Sequence, residues 1–462
     1  MIKVYNTLTN KKEEFKPQKE KEVSMYVCGV TPYDSVHLGH ARAYVVFDVI
    51  KRHLLKRGYS VTHIQNFTDI DDKIIQRAAQ KGVLPSAIAN LYIEDYFTQT
   101  QKLNVLKANR YPQVTKMIPE IISFIKTLMD KGYAYAKDGD VYFSVEKFKD
   151  YGKLSKRNLE DMKAGARVSV NEDKQNAFDF ALWKKTKEDQ PQDISWESPW
   201  GKGRPGWHIE CSVMSSAFLG DTIDIHGGGQ DLIFPHHENE IAQSQAATGK
   251  KFVNYWIHNG FVTVNKEKMS KSLGNFFTLK DIFEKYDPRI IRYYLLTQHY
   301  KSPLDFSDEA LNAAKNSLQG LDDAYLRLSS AVKESSDKIT QADLTALYET
   351  FLEVLDDDFN SEKALAYLHE VKNLILNELF KTDIQRLSQL KKLFEDMLLD
   401  SLGVTLPAKT LSNELQDLLN LRNAARKERN WQEADRLRKI IYENGYNITD
   451  NKDGTSVLTK KI

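Results

Sequence analysis

Two short patterns carry residues able to handle phosphate. In His37-Leu38-Gly39-His40, two imidazoles flank a residue with no side chain to block an approaching nucleotide. With 11 His and 22 Gly among 462 residues, chance would give a His-x-Gly-His tetrapeptide about 0.01 times. Lys268-Met269-Ser270-Lys271-Ser272 sets two ammonium groups three residues apart among hydroxyls. Such a pair neutralises charge that grows on a departing pyrophosphate, so His37, His40, Lys268 and Lys271 are the catalytic candidates.

A second constellation suits a metal. Cys28 and Cys211 are the only cysteines, and in a reducing compartment a metal or reactive role competes with burial as small hydrophobes. If Pro235 starts a helix, His236 and Glu240 lie at i and i+4 on one face. His237 pairs with Glu240 at i+3, so spacing leaves the choice of histidine open. Thiolate, imidazole and carboxylate together suit zinc better than magnesium or calcium.

These residues must be positioned by an α/β framework. Val23 to Cys28 reads as a buried strand, Ala41, Tyr44, Val45, Val49 and Leu55 as one helix stopped by Gly58, and Tyr59 to Asn66 as a second strand. That unit opens a doubly wound parallel sheet of Rossmann type, with His37 to His40 at its loop-to-helix junction, where backbone amides and the helix dipole favour an anion. Residues of about 110–200 look inserted, with a helix from Ile118 to Leu128 and a turn at Asp138-Gly139-Asp140. Strand-like runs return at Thr222 to Ile225 and Phe261 to Val264 and are expected to close the sheet. Gly227-Gly228-Gly229 would let backbone approach a nucleotide, and Asp231 would accept from its ribose or adenine.

The expected division is a catalytic domain over 1–308, its region of about 265–308 carrying the lysine signature, then a helical bundle over 309–400 and a small α+β module over 401–462. The bundle follows from Leu, Ala, Glu and Lys at helical spacing with almost no Gly or Pro. Asp356-Asp357-Asp358, just before a helix, fits helix-dipole stabilisation. Apolar residues make up 41% and charged residues 28%, which argues for a folded globular chain. A net charge of +1 excludes global attraction to nucleic acid or membrane, so such binding must be local. One local patch is 422–439, where seven bases, Arg422 and Arg426 among them, face three acids around Trp431. The N-terminus has no signal-peptide pattern and no apolar run spans a membrane, so a cytoplasmic location is expected.

The two signatures together mark class I aminoacyl-tRNA synthetases. The chain resembles the cysteinyl branch of that family through Tyr26-Val27-Cys28-Gly29-Val30-Thr31-Pro32-Tyr33, Asn66-Phe67-Thr68-Asp69-Ile70-Asp71-Asp72-Lys73, Gly203 to Cys211, Asp224 to Leu232 and Phe234 to Glu240. Only packing of the inserted region is touched by departures such as Ala177-Phe178.

The resemblance implies zinc on Cys28, Cys211, His236 and Glu240, which settles the histidine choice. It further implies ATP with Mg²⁺ at His37, Gly39, His40, Gly227, Gly228, Gly229, Asp231, Lys268 and Lys271. Cysteine would sit against Gly29, Thr68 and Trp207. Partners implied are tRNA(Cys), L-cysteine and ATP, with the chain a monomer, the bundle contacting tRNA and the C-terminal module reading the anticodon through Arg422, Arg426, Trp431, Arg436 and Asp450. An alternative is a cysteine-activating ligase with an amino-sugar acceptor, a relative that lacks the module present here over 408–462. A non-catalytic RNA-binding paralogue is a third reading, disfavoured because every signature residue is intact.

Overall fold

The computed structural model describes residues 1–158, 174–187, 194–268, 277–333, 344–378, 384–407, 413–450 and 456–460. Four parallel strands form the central sheet. Strand β1 (Glu22–Val30) has β2 (Ser60–Phe67) on one side and β3 (Ile223–Gly229) on the other, and β4 (Val253–Asn259) flanks β3. Helix α1 (Leu38–Lys56) connects β1 to β2, and the chain adds β3 only after crossing to the opposite side of β1. That reversal opens a crevice beyond the carboxyl ends of β1 and β3, the usual ligand position in doubly wound sheets.

The sheet closes differently from the sequence expectation. Val262–Val264 pairs in parallel with Leu304–Phe306 and antiparallel with Glu267–Lys268, forming a separate sheet. The place beside β3 goes to β4, whose Val-Asn-Tyr-Trp-Ile-His-Asn run lacks polar–apolar alternation because the strand is buried on both faces.

Helix α1 is likewise buried all round. Val46, Phe47, Ile50 and Leu54 pack on Met25, Val27, Ile225 and Ile257 of the sheet. Ala41, Tyr44, Val45 and Val49 join a core that continues into the bundle through Leu355, Met397 and Leu398. Burial on every side, with Arg42, Asp48, Arg52 and His53 enclosed among the apolar residues, fits a helix sandwiched between two bodies.

The inserted region contains more strand than its sequence suggested. Ala134–Lys137, Asp140–Phe143, Phe180–Lys185 and Gly203–Pro205 pair in chain order as an antiparallel sheet. Asp138 and Gly139 make its first turn with φ of 54° and 93°, a conformation that favours this dipeptide. Helix Ile118–Asp130 buries Ile121, Ile125 and Leu128 in a shared core with Val141, Phe143, Leu182 and Trp183.

Helices Asp308–Lys333, Leu344–Asp356, Ser361–Glu378 and Ile384–Glu395 make the bundle. Two further helices, Asn413–Lys427 and Trp431–Glu443, precede the hairpin of Tyr446–Asp450 with Ser456–Lys460. The three aspartates do not serve a helix dipole. Asp356 ends its helix and accepts from His53 Nε2 at 2.8 Å and Arg57 Nη2 at 2.9 Å, while Asp357 takes Lys12 Nζ at 2.6 Å. Asp358 accepts from the Tyr5 amide at 2.8 Å and the Tyr300 hydroxyl at 2.7 Å. All three tie bundle to catalytic domain. Among the described residues no helix is long and apolar enough to cross a membrane.

Candidate active site

His37 caps α1. Its Nδ1 accepts from the amides of Gly39 at 3.1 Å and His40 at 3.4 Å, and His40 Nδ1 accepts from the His37 amide at 3.4 Å. A ring nitrogen that accepts carries no proton, so each neutral ring holds its proton on Nε2. The rings stack with centroids 3.6 Å apart. Burial, with His37 and Lys73 nearby, keeps His40 well below the ordinary imidazole range. The first-turn amides that the sequence offered to an anion are thus taken by His37, and the rings carry their N–H on Nε2.

Both rings line a cavity of about 390 Å³ in the crevice, together with Cys28, Gly29, Gly39 and Trp207. Gly228, Gly229 and Asp231 line it from the end of β3. Gly227 has a packing role instead, since a Cβ there would stand 2.2 Å from the Phe47 ring. A Cβ on Gly29 would fall 1.5 Å from the Asn66 carbonyl oxygen, so the close approach of β1 to β2 requires glycine. Thr68 lies behind the wall, its hydroxyl donating to Glu210 Oε2 at 2.8 Å. Lys268 ends a short strand opposite Thr263. Lys271 lies outside the described residues.

Cys28 also belongs to a cluster with Cys211, His236 and Glu240, all buried, with ligand atoms within 4.8 Å of one another. Cys28 Sγ stands 3.9 Å from Cys211 Sγ, and His236 Nε2 stands 3.1 Å from Glu240 Oε1. The Cys28 thiol hydrogen bond draws Cys211 down to about 6 against its burial. Burial would raise Glu240, but His226 and His236 hold it at about 2. Cys28, His226, His237 and Glu240 form a second compact set. It uses one sulfur only, and within it His226 Nε2 pairs with Glu240 Oε2 at 2.7 Å, while His237 Nδ1 pairs outside it with His258 Nε2 at 2.7 Å. Trp207, 39% exposed, stacks on His236 at 4.3 Å and so joins the cluster to the cavity.

Sequence reading passed over His208, His226, His258 and Glu210 as site residues and weighed His237 only as the alternative to His236. His208 Nδ1 lies 3.0 Å from His236 Nδ1. The available signal was position, since His208, His226 and His237 all stand within two or three residues of a proposed ligand or glycine.

Residues 14–316 match the model of the class I (C) tRNA synthetase catalytic domain, and residues 350–406 match the DALR domain model. The cysteine–tRNA ligase of Endomicrobium trichonymphae is 69% identical over 100% of both chains, and that of Caldicellulosiruptor saccharolyticus is 46% identical over 99% of both. The chain belongs to the cysteine–tRNA ligases. The fold is shared with Mycobacterium tuberculosis methionyl-tRNA synthetase in complex with methionyl-adenylate, at TM-score 0.60 and 16% identity over 82% of this chain and 89% of that one. It is also shared with LeuRS in the Agrobacterium radiobacter LeuRS–tRNA–LeuAMS complex, at TM-score 0.61 and 11% identity over 84% of each chain.

In this family member the C-terminal candidates separate into two groups. Arg422, 3% exposed, donates from both Nη atoms to Asp450 at 2.8 and 2.9 Å, and Arg426 pairs with the same carboxylate at 2.6 Å. Asp450 is thereby bound to Arg422 and Arg426. Trp431 is 59% exposed, and Arg436 pairs only with Glu433 on its own helix at 2.7 Å among the described residues.

Proposed function

We propose that the chain activates L-cysteine with ATP and transfers it to tRNA(Cys), with His37, His40, Lys268 and Lys271 serving the phosphates. The observation that carries this reading is one cavity lined by the paired histidines and by Cys28, which belongs in turn to the buried cluster with Cys211, His236 and Glu240. A carboxylate oxygen of cysteine attacks the α-phosphorus of ATP, and the bond to pyrophosphate breaks. A hydroxyl of the tRNA's 3′-terminal ribose then attacks the cysteinyl carbonyl, and AMP departs. No enzyme nucleophile takes part; the protein orients the reactants and donates to developing negative charge.

The Nε2–H groups of His37 and His40 donate to phosphate oxygens, and burial keeps the His40 ring in its neutral form. Gly39, Gly228, Gly229 and Asp231 line the space given to the nucleotide, with Mg²⁺ accompanying ATP. Cys28, Cys211, His236 and Glu240 would hold zinc, their sulfur, nitrogen and oxygen donors matching its preferences. Zinc bound there supplies a soft Lewis acid that a substrate thiol ligates and a serine hydroxyl matches poorly. Shape alone separates such near-isosteres weakly, so a contact available to one substrate supplies the discrimination. Trp207 walls the amino-acid end, and Thr68, bonded to Glu210, supports that end from behind the cavity wall. Trp431 and Arg436 are the exposed candidates for RNA contact, with Arg422 and Arg426 holding Asp450 in place. The family match over the C-terminal module favours tRNA over an amino-sugar acceptor, and a cytoplasmic monomer fits this reading.

The test is ATP–pyrophosphate exchange and tRNA charging with cysteine and with serine, beside metal analysis of the parent and Cys211→Ser. The expected result is cysteine charged, serine ignored, one zinc per parent chain, and loss of both metal and activity in the variant. Exchange with cysteine but no tRNA charging would reject the acceptor; full metal content in the variant would reject the ligand set.

A further inference from the structure

A side pocket of about 180 Å³ adjoins the catalytic cavity, and Tyr33 and Lys73 belong to the walls of both. Asp34, Gln76, Arg77 and Gln80 complete it. Lys73, Gln76, Arg77 and Gln80 project from one helix, α2 (Asp72–Lys81), and Asp71 caps that helix with its side chain on the Lys73 amide. Lys73 Nζ stands 5.3 Å from the Tyr33 ring centroid, and among the described residues no carboxylate pairs with it. Arg77 Nη2 reaches Asp34 Oδ1 only at 3.8 Å, and Arg77 Nε is enclosed without an acceptor. Two cations thus face one carboxylate, beside two side-chain amides and an aromatic ring.

This lining fits one unit of a polynucleotide. The cations suit a phosphate, the amides of Gln76 and Gln80 suit ribose hydroxyls or a base edge, and Tyr33 offers a face for stacking. The volume falls below the roughly 300–1,000 Å³ of a site for a whole small ligand, so the occupant is part of a larger molecule. The shared wall makes it continuous with whatever occupies the catalytic cavity. We infer that the side pocket holds a phosphate-linked ribonucleotide of the single-stranded acceptor end while the terminal ribose enters the cavity. This rests on the reading of an RNA acceptor.

The chemistry recognised is phosphate, which ATP also carries, and the two sources are separated by comparing half-reactions. Arg77→Gln and Gln80→Glu alter residues that line the side pocket and not the catalytic cavity. ATP–pyrophosphate exchange without RNA is expected to stay within about twofold of the parent, while KM for tRNA in charging rises roughly tenfold, the size of one lost charge-assisted contact. Arg77→Lys keeps the cation and is expected to recover most of that loss. Exchange falling in step with charging would overturn the assignment in favour of ATP, and an unchanged KM for tRNA in both variants would overturn the pocket alone. A parent chain that exchanges but charges no tRNA would overturn the acceptor reading and this inference together. Unaltered thermal unfolding of each variant shows that a rise in KM is not a folding effect.

Discussion

Asp48 of α1 and Arg292 meet as a fully enclosed ion pair, their side chains 0% and 1% exposed. Arg292 also donates from Nε to the Leu402 carbonyl at 2.8 Å and from Nη1 to that of Leu103 at 2.7 Å. Arg52 adds Nε to the same Asp48 oxygen at 2.7 Å. One carboxylate therefore joins the helix behind the paired histidines, the helix Pro288–Leu295 that follows the lysine signature, and the chain leaving the bundle. Burial would raise the Asp48 carboxyl, but Arg292 and Arg52 hold it below the ordinary range. Asp48→Ala leaves two enclosed cations without their counter-charge and is expected to cost about 3–5 kcal/mol in denaturant unfolding. A loss under about 1 kcal/mol would show that the pair is not structurally important.

His37 has two separable tasks, capping α1 and presenting Nε2–H. Asparagine is a good N-cap, so His37→Asn should keep the melting temperature close to the parent while ATP–pyrophosphate exchange falls about 10–100-fold, the worth of one hydrogen bond to a charged group. His37→Ala should lose exchange and also about 1 kcal/mol of stability. Equal stability of the alanine and asparagine variants would contradict the capping role.

His63 of β2 gives the fold an acid limit. It is buried, neither ring nitrogen has a partner, and burial with Lys51 nearby lowers it to about 3. The unfolded chain takes up this proton near pH 6.5 and the folded chain only near 3. Its contribution is present in full above pH 6.5 and declines as pH falls toward 3, by about 1.4 kcal/mol per pH unit in the steep part. His63→Leu should flatten the stability profile between pH 6 and 4 relative to the parent. Parallel profiles would disprove the assignment.

Trp207 stacks on His236 with its outer part exposed to the cavity. Trp207→Ala is expected to raise KM for cysteine about tenfold, in line with the loss of an aromatic contact at a desolvated site, while zinc content stays at the parent level. Trp207→Phe should keep most of the affinity. Loss of zinc from the alanine variant would mean that the indole supports the ligand set instead of the substrate.

The local chemistry was readable in the sequence because it depends on residue identity at short spacing. His37, Gly39 and His40 fall where a strand–loop–helix unit must put them, and the four ligand candidates converge as the family resemblance implied. Longer-range features were less readable. β4 went unrecognised because a strand buried on both faces loses its period of two, whereas Phe261 to Val264 alternates well and yet pairs elsewhere. The insert's strands are short and separated by polar stretches, and their apolar residues repeat without a decisive period. Asp356, Asp357 and Asp358 resemble a helix-start cluster until the positions of His53, Lys12 and Tyr300 are known. Arg422 looked like one more basic residue of the 422–439 patch, and only tertiary structure reveals its burial against Asp450.

The two cysteines stand 183 residues apart in the chain, and their cluster needs segments from both ends of the inserted region. A chain emerging from the ribosome carries Cys28 for most of the synthesis of the catalytic domain without its fellow ligands. An ion held by these four side chains would therefore have no pre-formed grip on the nascent polypeptide, and its capture would await docking of the helices Trp207–Leu219 and Glu238–Thr248 beside β1. Stable retention of such an ion would then report that the catalytic domain has finished folding.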